Sequence, residues 1–189
     1  MIEMSKHLPP NAICVFHGKI FDVYQWQQKM FDGSTETFER LRRLNTAMVI
    51  PVVGDKILVQ EQQQPGMEPF VGLAGGRCND YEENQLTAAK RELLEETGYV
   101  SQDWQLWHSV TPFSKIIWNI STFIARNCTK HQEPHLDAGE KIENKPVSLD
   151  EFLDFAENPK FRDLEVVTLL LQMKLYPEKK KAFEKILFG

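Results

Sequence analysis

Apolar residues along this chain fall into two rhythms, and each predicts its own kind of element. Between residues 13 and 24 the β-formers Ile13, Val15, Phe16, Ile20, Phe21, Val23 and Tyr24 predict two short strands turning at Gly18. A strand over residues 35–44 follows a turn at Asp32-Gly33. Residues 46–53 read as a buried strand, and the Gly54-Asp55 turn leads to another over residues 56–60. Residues 65–76 read as a loop anchored by Phe70 and Leu73. Further strands are expected at residues 104–110 and 116–125, where β-branched and aromatic residues are dense.

The second rhythm is helical. Leu86, Ala89 and Leu93 recur on one face, so that face should pack on a sheet. Asn84 suits the N-cap of this helix, which should run to Thr97, and Gly98 suits a left-handed C-terminal cap. Residues 127–141 read as a polar loop. After Pro146-Val147, Ser148 and Glu151 form a capping-box signature, and a last long helix covers residues 164–175, with a short one after Pro177. Strands interleaved with helices predict an α/β sandwich.

Composition narrows the class. The 189 residues suit one domain with a small appended element, at 42% hydrophobic and 26% charged content. No apolar run reaches the roughly 20 residues that span a bilayer, and residues 1–6 lack the features of a signal peptide, so no membrane partner is expected. The net charge of −5 argues against a nucleic-acid partner. Cys14, Cys78 and Cys128 are too scattered for a zinc site or a disulfide framework, which suits a reducing cytoplasm.

The charged segment Arg91-Glu92-Leu93-Leu94-Glu95-Glu96-Thr97-Gly98-Tyr99 carries the chemistry. On an α-helix, Glu92 lies one turn from both Glu95 and Glu96, so the three acids should reach one patch. Like charges at that spacing repel, unless a hard divalent cation such as Mg²⁺ draws them together. A solvated face would mix signs along its rows, and the Glu92–Glu96 row does not. The preceding pair Gly75-Gly76 lets backbone approach a ligand closely.

Residues 75–99 resemble the Nudix box, the signature of hydrolases acting on nucleoside diphosphates linked to another group. That box reads glycine, five residues, Glu, seven residues, then Arg-Glu-aliphatic-x-Glu-Glu-x-Gly followed by an aliphatic or aromatic residue. Its second half matches at every specified position from Arg91 to Tyr99. In the first half the glutamate falls at Glu83, and Arg77 stands where the opening glycine belongs, so the loop from Gly76 to Glu83 carries an extra residue.

The resemblance implies the Nudix fold, a mixed β-sheet sandwiched between helices, in a domain over residues 46–189. It also implies an N-terminal antiparallel β extension over residues 1–45. Within the family it points to ADP-ribose and nucleotide-sugar pyrophosphatases, which dimerise through that extension. The implied metal ligands for Mg²⁺, or Mn²⁺ in its place, are Glu92, Glu96 and the carbonyl of Ala74. Glu95 is either a third ligand or the group that orients Arg91. Glu140 is the implied general base, with Asp137 and Glu143 in reserve. Arg42 or Arg43 would reach the nucleotide in the partner subunit, and Gln64, Gly75 and Gly76 would line the substrate. Glu83 would support the loop or complement the helix dipole.

Two positions depart from the subfamily. Gln64 stands where an arginine would hold a phosphate, and Gly72 where a glutamate would approach the metal. The expected function is therefore metal-dependent cleavage of a nucleoside diphosphate sugar. Cleavage of dinucleotides or nucleoside triphosphates, and a sensor that binds a nucleotide without turnover, stand as alternatives.

Overall fold

The structure, a computed structural model, describes residues 8–189. The first seven residues of the expected N-terminal extension lie outside the described residues. Strands β1 (Ile13–His17), β2 (Asp22–Lys29) and β3 (Thr35–Arg42) form an antiparallel meander. Its second turn holds Gly33 at φ 88°, with Asp32 accepting the Ser34 N–H at 2.9 Å.

Strands β4 (Thr46–Val53) and β5 (Lys56–Gln63) form a hairpin around Gly54. They pair only at Val52–Ile57 and Val53–Lys56, then part. The opening is filled by β6 (Phe70–Gly72) on β5 and β7 (Ala74–Arg77) on β4. The sequence reads as a loop there because strands this short, with three glycines between them, leave no alternation to detect.

Helix α1 (Gln85–Glu92) starts as expected, with the Asn84 side chain accepting the Leu86 N–H at 2.8 Å. It does not continue as an α-helix. Residues Leu93–Thr97 widen into a π-helical turn, and Gly98 ends it at φ 72°. There follow β8 (Tyr99–Val100), β9 (Asp103–Val110), β10 (Ile116–Ile117), β11 (Ile120–Arg126), β12 (Thr129–Lys130) and β13 (Lys141–Val147). Strand β13 corrects the expectation of a polar loop leading straight into Pro146-Val147. It is an edge strand on β5, where a proline is tolerated.

Helix α2 (Leu149–Asp154) has the complete Ser148–Glu151 capping box and runs into a 3₁₀ turn at Phe155–Glu157. Helices α3 (Leu164–Leu175) and α4 (Pro177–Phe188) complete the chain, and α4 is as long as α3 rather than short.

The main sheet has the order β13-β5-β4-β11-β9, mixed because β4 and β11 run parallel. Alternation along β4 makes the sandwich. Ala47 and Val49 face α1 with Ala88, Ala89 and Leu93, while Met48, Ile50 and Val52 face α2, α3 and α4 with Phe152, Leu170 and Phe183. The N-terminal sheet takes its fourth strand from β10, so the segment expected as a single strand at 116–125 serves two sheets. Among the described residues no helix is long and apolar enough to cross a membrane.

Gly98 fixes the exit from the acidic turn. A side chain there would meet both a left-handed backbone and the Gln132 carbonyl oxygen. Gly98→Ala should lower unfolding free energy by about 1–3 kcal/mol, read as a reduced urea midpoint with an unchanged slope.

Candidate active site

The π turn spreads the three acids rather than stacking them. In a turn closed from i to i+5 side chains leave the helix at wider angles, and such turns often mark functional sites. Glu96 turns inward and is 6% exposed. Its Oε2 accepts the Gly75 N–H at 2.9 Å and Gln60 Nε2 at 3.2 Å. Glu95 turns outward, its side chain 45% exposed. Glu92 lies between, under β7, where a Cβ on Gly76 would collide with its carboxylate. The glycine at 76 is therefore required by the close approach of backbone and carboxylate.

Arg91 ties this layer together. Its Nη1 donates to Glu92 Oε1 at 2.6 Å and to Glu95 Oε2 at 3.2 Å, and Nη2 donates to the Arg77 carbonyl at 3.0 Å. Glu95 is thus paired with Arg91. Among the described residues no three acidic, histidine or cysteine side chains converge as a ready metal cage. Glu83 supports the loop: it accepts the Asn79 N–H at 2.5 Å and lies 3.8 Å from Arg91 Nη2.

Burial shapes the electrostatics. It lifts the Glu92 carboxyl above its usual range against the pull of Arg91. It pushes Glu96 up to about 8, against the hydrogen bond from Gly75, with Glu92 and Glu140 adding repulsion. A cation beside Glu92 and Glu96 would reverse both effects. The donor set, two adjacent carboxylates with the backbone of Ala74 alongside, therefore fits a hard divalent ion.

Glu140 sits half-buried in the turn before β13, its backbone N–H bonded to the Asp137 carbonyl at 2.9 Å, and its charge reaches Glu92 and Glu96. It lines an open cleft of about 630 Å³ with Gln64. Of the reserves, Asp137 and Glu143 are exposed, and Glu143 pairs with Lys145 at 2.5 Å.

Arg42 and Arg43 lie apart from the acids, at the seam between the two sheets. Arg42 stacks 3.7 Å from the Tyr81 ring, and Arg43 lies 4.2 Å from the Trp118 ring. Burial lowers the Arg43 pKa, and its buried Nε has no hydrogen-bond acceptor among the described residues. The Tyr81 hydroxyl donates to Asp22 at 2.8 Å, so the lengthened loop docks on the N-terminal sheet.

A model of the NUDIX domain matches residues 42–167. The chain belongs to the Nudix family. Among curated relatives, the methanol dehydrogenase activator of Bacillus methanolicus is 24% identical over 167 residues, covering 85% of this chain and 89% of the relative. The ADP compounds hydrolase NudE of Escherichia coli K12 is 26% identical over 184 residues, covering 90% of this chain and 95% of the relative. A crystal structure of an ADP compounds hydrolase superposes with a TM-score of 0.72 at 19% identity, covering 90% of this chain and 94% of that one. That likeness establishes the Nudix fold.

Four residues around the Nudix helix escaped the sequence reading. Gln60 and Asn144 contact Glu96, and Tyr81 anchors the loop. Asp163, just before α3, accepts the Leu73 N–H at 2.6 Å and lies 3.2 Å from where a Gly72 Cβ would sit. An acid from the residue preceding α3 thus approaches the place that Gly72 leaves without one.

Burial, with repulsion from Glu165, pushes Asp163 up to about 8, against the Leu73 hydrogen bond. Its folded pKa is above the unfolded value of 3.8, so the folded state holds a proton that the unfolded state has lost. That contribution weakens as pH rises from about 4 towards 8. Asp163→Asn removes it. Relative to wild type, the variant should gain stability between pH 5 and pH 8, by on the order of a few kcal/mol in calorimetry. A constant difference across that range would contradict the raised pKa of Asp163.

Proposed function

We propose that this Nudix protein is a divalent-metal-dependent pyrophosphohydrolase of ADP-containing diphosphates, with ADP-ribose the leading candidate. The observation that carries the proposal is the pairing of Glu92 and buried Glu96 beneath the Gly75-Gly76 backbone. The near full-length similarity to NudE, named an ADP compounds hydrolase, supports the choice of nucleotide.

Glu92, Glu96 and the carbonyl of Ala74 would hold Mg²⁺, or Mn²⁺. The ion would neutralise phosphate oxygens and lower the pKa of a bound water. Glu140 accepts the proton of the attacking water. The water oxygen forms a bond to one phosphorus as the bridging P–O bond breaks, and that electron pair leaves with the other phosphate. The products are AMP and a sugar phosphate. Arg91 keeps Glu92 and Glu95 in place, and Gly75 and Gly76 admit the diphosphate close to the backbone.

A panel of ADP-sugars, dinucleotides and nucleoside triphosphates, assayed with Mg²⁺, tests the proposal. Cleavage of ADP-ribose well above the rest supports it, and preference for triphosphates overturns the substrate assignment. A second reading, a nucleotide-binding regulator, is favoured by the relative named as an activator and by glutamine at position 64. Tight binding of one panel member without turnover would select it.

The same reading includes a homodimer through the N-terminal sheet. Trp26 packs internally against Phe38, with ring centroids 6.0 Å apart, but Ile13, Phe16, Ile20 and Phe31 remain exposed. A two-fold contact would cover them and the sheet edge. Light scattering should give about twice the 22.0 kDa chain mass. A fully active monomer would remove any role for the partner's Arg42 and Arg43.

A further inference from the structure

Gln60 has no solvent exposure, on a strand whose preceding residues Ile57, Leu58 and Val59 are buried and apolar. A valine or leucine would be the ordinary occupant of such a position. A buried amide is tolerated only where its polar atoms are used. Here its oxygen accepts Gln62 Nε2 at 2.6 Å, and its nitrogen donates both to Glu96 Oε2 at 3.2 Å and to Asn144 Oδ1 at 3.3 Å. These partners fix the direction of the amide, because the reverse orientation would set oxygen against oxygen at Glu96 and at Asn144.

Asn144 completes the arrangement. It pairs with Gln60 across β5 and β13, and its Nδ2 donates to the backbone carbonyl of Glu96 at 2.9 Å. Glu96 is thereby held at its carbonyl by Asn144 and at Oε2 by Gln60 and the Gly75 N–H. Neither of those donors reaches Oε1. We propose that Gln60 and Asn144 are positioning residues that commit one oxygen of Glu96 to the protein and present the other to the cation. Because β13 follows the turn carrying Glu140, the same pair sets the base-bearing loop in register with the metal ligand. The inference rests on the metal-binding half of the function proposed above.

Mn²⁺ binding to substrate-free protein, followed by the paramagnetic resonance of the free ion, tests it directly. Gln60→Leu should weaken Mn²⁺ binding at least about tenfold, the range expected on losing a group that holds a ligand in place. At saturating metal, KM for the nucleotide should stay within about twofold. Asn144→Ala, on an edge strand, should weaken binding less, and it carries the test alone if the Gln60 variant does not fold. The double variant should lose no more than Gln60→Leu, because the two side chains are hydrogen-bonded to each other and both act through Glu96.

Unchanged Mn²⁺ affinity in Gln60→Leu would overturn the proposal and leave Gln60 as a space-filling amide. Losses that multiply in the double variant would overturn the shared action through Glu96. A wild type that binds no Mn²⁺ would overturn this inference together with the metal site. A wild type that binds Mn²⁺ in a Gln60-dependent way, yet cleaves no ADP compound, would uphold the positioning role and overturn only the hydrolase reading.

Discussion

Glu96→Gln is expected to lower kcat by two to three orders of magnitude or more, a loss of roughly 3–4 kcal/mol of transition-state stabilisation. The substitution keeps volume and still accepts the Gly75 N–H through its amide oxygen. What it removes is the charge that a cation would bind. Without metal, the variant should melt at the same temperature or higher, because a buried acid beside Glu92 is replaced by a neutral group. Steady-state kinetics at saturating Mg²⁺ and a thermal melt in chelator separate the two effects. Near-wild-type turnover would remove Glu96 from the metal site. A low kcat with a lowered metal-free melting temperature would make Glu96 a structural residue instead.

Glu140→Gln should lower kcat by about two to four orders of magnitude while KM changes little, as expected when a general base is lost. Glu140 is the one of the three loop acids that is half-buried and whose charge reaches Glu92 and Glu96. Glu143 is engaged with Lys145 on the exposed side of β13, and Glu143→Gln should leave kcat within a few-fold. A larger loss in the Glu143 variant would move the base from the turn into β13 and imply that the turn rearranges around substrate. Equal small losses in both would point to a base outside this loop.

The parts legible in the sequence were those governed by local rules. The buried apolar run of β4, the Asn84 cap, the Ser148–Glu151 box and the left-handed Gly98 are written in short stretches, and each stands where its residues place it. The acidic segment was legible as chemistry but not as geometry. Spacing on an ideal α-helix puts Glu95 and Glu96 in one patch, whereas the π turn sends one to Arg91 and the other to Gly75.

The residues that escaped act over long sequence separations. Gln60 meets Glu96 from 36 positions away, Asn144 meets Gln60 from 84, and Asp163 meets Leu73 from 90. No local pattern encodes such pairs. The one available signal was a glutamine ending an apolar run on β5, where a buried polar side chain must have a specific partner. The edge strand β13 was hidden for a related reason: its polar residues and Pro146 mimic a loop when its pairing with β5 is unknown.

The most direct test of the central claim is phosphorus NMR of ADP-ribose incubated with the protein and Mg²⁺. The account predicts that the two diphosphate resonances disappear together and are replaced by two phosphomonoester resonances, those of AMP and ribose 5-phosphate, and that chelator stops the conversion. A spectrum that stays unchanged at micromolar protein, or a product that retains the diphosphate, would contradict it.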